Sequence, residues 1–147
     1  MIVKIKKLTS AAVVPTYATA ASAGADLYAL PDADAPIRLS PGETKLIRTG
    51  IAAEIPAGYC GLVYARSGMA TKRALAPANK VGVIDSDYRG EILVALHNHG
   101  AVEQTVEAGE RIAQLVIAPV LHAEFVPMDE LSDTARAEGG FGSTGTK

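Results

Sequence analysis

The sequence predicts an all-β domain, a sandwich or barrel, on three observations. Short apolar runs recur along the chain, turns bearing Gly or Pro stand between them, and only one stretch has room for a helix. Met1–Leu8 sets Val3 and Ile5 against Lys4 and Lys6, the period of two expected of a half-buried strand. Asp26–Leu30 is another short run, closed by Pro31, and Lys45–Ile55 is rich in β-branched residues up to Pro56-Ala-Gly58. Gly61–Ala65, Glu91–Leu96 and Arg111–Val116 follow, separated by Pro77-Ala-Asn79, His97-Asn-His-Gly100 and Glu107-Ala-Gly109. The helix falls at Ser67–Ala74 and has about two turns. After about Leu131, Ser, Thr, Gly and charge replace the apolar pattern, and such a segment orders only by docking on something. A β domain over residues 1–131 and a C-terminal arm over 132–147 are therefore expected.

At 147 residues and 48% hydrophobic, the chain suits one domain with a real core. With no Trp and two Phe, that core falls to Ala, Val, Ile and Leu. A net charge of −2 argues against a basic nucleic-acid surface while leaving room for a local phosphate site. Cys60 is alone, so no internal disulfide forms, which fits a reducing cytosol. The opening MIVKIKKLTS lacks the apolar run of a signal peptide, and no stretch approaches the length of a membrane span. A cytoplasmic protein with neither nucleic-acid nor membrane partner is the expectation.

The densest chemistry lies in NKVGVIDSDYRGE, Asn79 to Glu91. Val81, Val83 and Ile84 lead into the turn Asp85–Gly90 and Glu91–Leu96 returns, which reads as a β-hairpin with a polar tip. Asp85 and Gly90 match the first and sixth positions of a calcium loop. Arg89 replaces an oxygen ligand and Leu96 the closing Glu, so this is not an EF-hand. Asp85 and Asp87 are either turn residues bonding their own backbone, or one is a general base that takes a proton from water. In YARSGMATKR, Arg66-Ser67-Gly68 sets a guanidinium fork, a hydroxyl and a bare backbone amide together between a strand and a helix start, a cluster suited to an oxyanion. Equally, Ser67 reads as a helix N-cap and Arg66 as a surface charge. Asp26 in SAGADLYAL reads as a cap or turn residue, and Gln114 in ERIAQLVI as an outward-facing polar position. His97-Asn-His99 lacks a third metal ligand nearby and reads as a turn, and Cys60 as packing. Gly140-Phe-Gly142-Ser-Thr-Gly145 matches G-x-G-x-x-G, but that loop needs a following helix and only Thr146 and Lys147 remain.

Taken in order, AGADLYA, ARSGMA, GVIDSDYRGE, RIAQLVI and RAEGGFGSTG closely resemble the five motifs of the trimeric dUTP diphosphatases, the dUTPases, from Ala23 to Gly145. The resemblance implies a distorted jelly-roll-like β fold, a homotrimer with shared active sites, and hydrolysis of dUTP to dUMP and pyrophosphate with Mg²⁺. It makes Asp85 the residue that orients and deprotonates the attacking water at the α-phosphorus. Asn79, Gly82, Val83 and Ile84 would read uracil through backbone groups, and Tyr88 would lie against the deoxyribose and exclude a 2′-hydroxyl. Arg66, Ser67 and Gly68 would hold the phosphate chain, Gln114 would reach the α-phosphate, and Asp26 would help hold the hydrated Mg²⁺.

The tail resembles the family's mobile arm, which closes over an active site. Phe141 would stack on uracil, Gly142 would permit close approach, and Arg136, Ser143 and Thr144 would bond the terminal phosphates. Three positions depart from the usual pattern: Ala65 for Pro, Met69 for Leu, and Ala137 for the Gly after the arm's Arg. The alternatives are a dCTP deaminase of the same fold, whose chemistry uses a Glu near the base, or a non-catalytic trimeric β-sandwich binding module.

Overall fold

The computed structural model describes residues 1–30 and 35–140. Among them, in chain order, the elements are β1 (Lys4–Lys7), β2 (Thr16–Tyr17), β3 (Ala25–Tyr28), β4 (Ile37–Leu39), β5 (Thr44–Arg48), β6 (Ile51–Glu54), β7 (Tyr59–Tyr64), α1 (Ser67–Arg73), β8 (Leu75–Pro77), β9 (Gly82–Ile84), β10 (Leu93–Asn98), β11 (Gln104–Val106) and β12 (Arg111–Pro119). Every strand pairing is antiparallel. The sheets run β2-β3-β12-β7-β9, β5-β10-β8, β1-β6 and β11-β4, a jelly-roll-like sandwich as expected. No helix among the described residues is long and apolar enough to cross a membrane.

The interior is aliphatic. Leu27, Leu39, Ile47, Ile51, Val63, Leu75, Ile84, Leu96, Val106 and Ile112 belong to one buried cluster, so every strand from β3 to β12 contributes to it. In β10 the alternation is plain, with Val94, Leu96 and Asn98 buried between more open neighbours. Asn98 is polar at 0% exposure and is satisfied: its Nδ2 donates to Leu39 O at 3.0 Å and Val102 O at 2.8 Å, and its Oδ1 accepts from Gly100 N. His97 and Asn98 therefore end a strand, and the turn begins at His99.

Three expectations need correction. Lys45–Ile55 is two strands, and they belong to different sheets. The break is Thr49-Gly50, where Gly50 takes φ 69°, a left-handed value that glycine adopts readily. Nor do the two arms of Asn79–Leu96 form a hairpin with each other. β9 pairs with β7 while β10 pairs with β5 and β8, so the Asp85–Ile92 segment crosses from one sheet to another. The helix ends at Arg73, one residue early, because Ala74 caps it at φ 53°. Among the described residues, strand structure stops at Pro119. From Leu121 to Glu138 the segment is exposed, with Leu121, Phe125, Val126, Met128 and Leu131 at 63–96% exposure.

Candidate active site

Strand register builds the first half of the site. β12 carries a bulge: Arg111 opposes Tyr28, Ile112 is skipped, and Ala113 opposes Leu27. Beyond the bulge, Gln114 stands opposite Asp26 of β3 on one side and Tyr64 of β7 on the other. Arg66 follows Tyr64 by two residues, just past the end of β7. Residues that are far apart in the chain thus meet in one cleft of about 480 Å³, lined by Gly24, Asp26, Arg66, Ser67, Gly68 and Gln114 among others.

Within that cleft Asp26 is 7% exposed, and a buried carboxylate must be paired. Its Oδ1 accepts from Arg66 Nε at 2.7 Å and its Oδ2 from Arg111 Nη1 at 3.2 Å. Arg66 is therefore no free surface charge. Its Nε is committed to Asp26 and one Nη1 donor reaches Arg111 O at 3.4 Å, which leaves further N–H groups of the five for an anion. Ser67 is the first helical residue; no side chain caps the helix, so the N-cap reading of Ser67 fails. A Cβ at Gly68 would meet nothing within 4 Å, so this backbone borders open space. Gln114 donates through Nε2 to Ala65 O at 2.9 Å, and Gly24 lets its side chain lie close. The departure Ala65 keeps the carbonyl that holds Gln114, and the departure Met69 is buried core.

A second cleft, about 250 Å³, is lined by Asn79, Gly82, Val83, Ile84, Asp85 and Tyr88, together with Glu91 and others. All six residues expected around the nucleoside and its attacking water are thus neighbours. The Asp85 side chain is exposed and makes no hydrogen bond or ion pair among the described residues; only its carbonyl is used, accepting from Tyr88 N at 3.2 Å. The reading of Asp85 as a side-chain-bonded turn residue therefore fails. The Tyr88 hydroxyl donates to Glu91 O at 3.1 Å. Arg89 Nη1 donates to Ser86 O at 2.6 Å and Tyr88 O at 2.9 Å, clasping the loop from within.

The two clefts have no lining residue in common. Three participants escaped the sequence reading: Arg111, Glu91 and Gly24. Arg111 was signalled only by register, because a strand pairing must be known before Arg111 and Asp26 are seen as neighbours. In the arm, Arg136 donates through Nε to Gly139 O at 2.7 Å, and Ala137 has φ 43°, a left-handed conformation at the position where the resemblance expects Gly. Phe141, Gly142, Ser143 and Thr144 lie outside the described residues. His97 and His99 stack edge-on with centroids 4.3 Å apart. The His99 imidazole titrates below its ordinary value, chiefly because it is desolvated, then through the charges of His97 and Lys80.

Comparison with known proteins agrees with this geometry. A dUTPase family model matches residues 10–145. The chain is 50% identical to the deoxyuridine 5′-triphosphate nucleotidohydrolase of Nautilia profundicola over 99% of both chains, and 49% identical to that of Maricaulis maris over 99% of this chain and 97% of the other. Among solved structures, the dUTPase of Staphylococcus bacteriophage 80alpha with dUPNHPP superposes with a TM-score of 0.89 at 30% identity, covering 98% of each chain. The chain belongs to the dUTPase family.

Proposed function

We propose that the chain hydrolyses dUTP to dUMP and pyrophosphate, with Asp85 as the base that takes the proton of the attacking water. The observation that carries the reading is the division of labour between the clefts: anion donors on Arg66, Ser67, Gly68 and Gln114 in one, and in the other, beside Tyr88, a carboxylate with no partner among the described residues. Water oxygen bonds to the α-phosphorus, the bond to the bridging oxygen breaks, and pyrophosphate leaves. Phosphoryl transfer of this kind depends on positioning and charge neutralisation more than on covalent chemistry. Backbone groups around Asn79 and Gly82–Ile84 read uracil, and the Tyr88 ring excludes a 2′-hydroxyl.

The donor set fits a hydrated Mg²⁺. Each Asp26 oxygen gives one lone pair to an arginine and retains another for a metal-bound water, while Mg²⁺ keeps most of its waters and takes few protein ligands. The ion, when bound, neutralises phosphate charge.

A single chain keeps Asp85 and the phosphate donors in different clefts, although both must act on one nucleotide. This supports a homotrimer in which sites are shared between copies. The Val120–Leu131 segment points the same way, since five large apolar side chains stand bare in the isolated chain. The arm after Leu131, with Arg136, Phe141, Gly142, Ser143 and Thr144, would close the site and exclude water. The lone buried Cys60 suits a reducing, cytoplasmic compartment.

The test is product analysis with dUTP, dCTP, dTTP and UTP. Pyrophosphate and dUMP from dUTP alone are expected; ammonia from dCTP would make the chain a deaminase. Asp85→Asn should still bind dUPNHPP while turnover falls by at least about 10²-fold, the lower range for losing a general base. Unchanged turnover in that variant would remove Asp85 from the mechanism.

A further inference from the structure

We infer that Glu91 is a positioning residue for sugar selection, acting through Tyr88 by fixing the backbone on which that ring rests. The inference rests on the dUTP-hydrolysing reading above and extends it to a residue outside the expected contacts. Tyr88 folds back over its own chain: the position a Cβ would take at Gly90 is overlapped by the Tyr88 ring and hydroxyl, so the ring lies directly on Gly90. The hydroxyl then donates to the backbone carbonyl of Glu91 at 3.1 Å. Ring height and tilt are therefore set by where residues 90 and 91 sit.

The side chain of Glu91 decides that. Its Oε2 accepts from Arg48 Nε at 3.0 Å and its Oε1 from Gly50 N at 2.7 Å, with Oε1 also 3.2 Å from Arg48 Nε. Both partners belong to the corner between β5 and β6. With a side chain only 17% exposed, Glu91 is a half-buried anchor rather than a surface charge. The next residue continues the stitch: Ile92 N donates to Ile51 O at 2.8 Å, and Thr49 Oγ1 donates to Ile92 O at 2.5 Å. Glu91 also lines the cleft that holds Asp85 and Tyr88. Elsewhere among the described residues the loop's hydrogen bonds are internal, the Arg89 clasp and the Tyr88 N to Asp85 O turn, while the Arg89 charge also acts on the exposed Glu54 of β6. The Glu91 anchor thus ties this loop to the sheet, and loosening it lets Tyr88 yield to a larger sugar.

The experiment measures kcat and KM for dUTP and UTP on the wild type, Glu91→Gln, Tyr88→Phe and the double variant. Gln keeps the shape and one acceptor for Gly50 N but loses the charge that holds Arg48. Glu91→Gln should lower the dUTP-over-UTP ratio of kcat/KM by about tenfold, the scale of a lost steric fit, whereas a merely structural loss would lower kcat/KM for both nucleotides alike. Its effect should shrink in the Tyr88→Phe background, because both changes act on the same contact. Arg48→Gln breaks the ion pair from its other end and should relax discrimination in the same direction, which keeps the test alive if Glu91→Gln does not fold. A ratio unchanged within about twofold, or full additivity with Tyr88→Phe, overturns the inference even if stability falls. A wild type that does not turn over dUTP would instead refute the function itself.

Discussion

Replacing Gly50 with alanine tests whether the β5–β6 corner is as constrained as its geometry implies. The residue sits at φ 69°, and both its backbone groups are engaged: its N–H donates to Glu91 Oε1 at 2.7 Å and its carbonyl accepts from Leu8 N at 2.8 Å. The chain cannot rotate out of the left-handed region without breaking one of these bonds. A Cβ there would lie 2.8 Å from the Cβ of Ala12, which is 3% exposed and has no rotamer to change, and would overlap Leu30 Cδ2. The left-handed conformation costs about 1–2 kcal/mol for a residue with a Cβ. Forcing a methyl into a packed site costs about 1–3 kcal/mol more, Leu30 yielding more readily than Ala12. The less flexible unfolded chain returns about 0.4–1 kcal/mol. A net loss of about 1–4.5 kcal/mol follows, which shifts the unfolding equilibrium by roughly one to three orders of magnitude. Urea unfolding followed by far-ultraviolet circular dichroism, at equal protomer concentration for both proteins, reads this directly. A Gly50→Ala protein within about 0.5 kcal/mol of the wild type would show that the corner is looser than described.

At the site itself, Gly24→Ala would bring a methyl to 2.6 Å from Gln114 Oε1 and 3.1 Å from its Cβ, displacing the amide from Ala65 O. About 1–2 kcal/mol of stability and at least about tenfold in kcat/KM should be lost; unaltered kinetics would mean Gln114 does not act in the cleft. Deleting Gly139–Lys147 should cripple dUTP turnover and leave the unfolding midpoint unchanged, and a fully active truncated protein would end the arm's assignment. For His99, the folded value lies below the ordinary 6.5, so between the two the unfolded chain binds more protons and stability rises with pH. His99→Gln should flatten that slope below pH 6.5, as seen in unfolding midpoints across the range. The carboxylates Glu43 and Glu54 act lower, since their values are depressed below 4.5, the first mainly by the Ser40 amide and the second by Lys4.

Six of the strands were legible because each carries its own local pattern. Period-two alternation in Met1–Leu8 and turn residues such as Pro56-Ala-Gly58 mark boundaries without reference to the rest of the chain. β2, β4, β8 and β11 were missed because two or three residues cannot express a period. Lys45–Ile55 was read as one strand because its composition runs unbroken through Thr49-Gly50, and only the partner sheets reveal the corner. The hairpin was misread for a related reason: a polar turn between apolar runs looks the same whether the runs pair together or with other strands. The motifs name the residues that line the two clefts, whereas Arg111 and Glu91 become visible only through contacts spanning 85 and 43 positions in the chain.

The skipped residue in β12 acts as a parity setting for the longest strand of the domain. Because Ile112 is accommodated without a partner, Ile112 and Ala113 both reach the interior and Gln114 emerges on the side shared with Asp26. Inserting or removing one residue just after Ile112 would exchange inside and outside for the remainder of the strand, burying the amide and baring Leu115. This stretch should accept many changes of side chain, yet almost none of length.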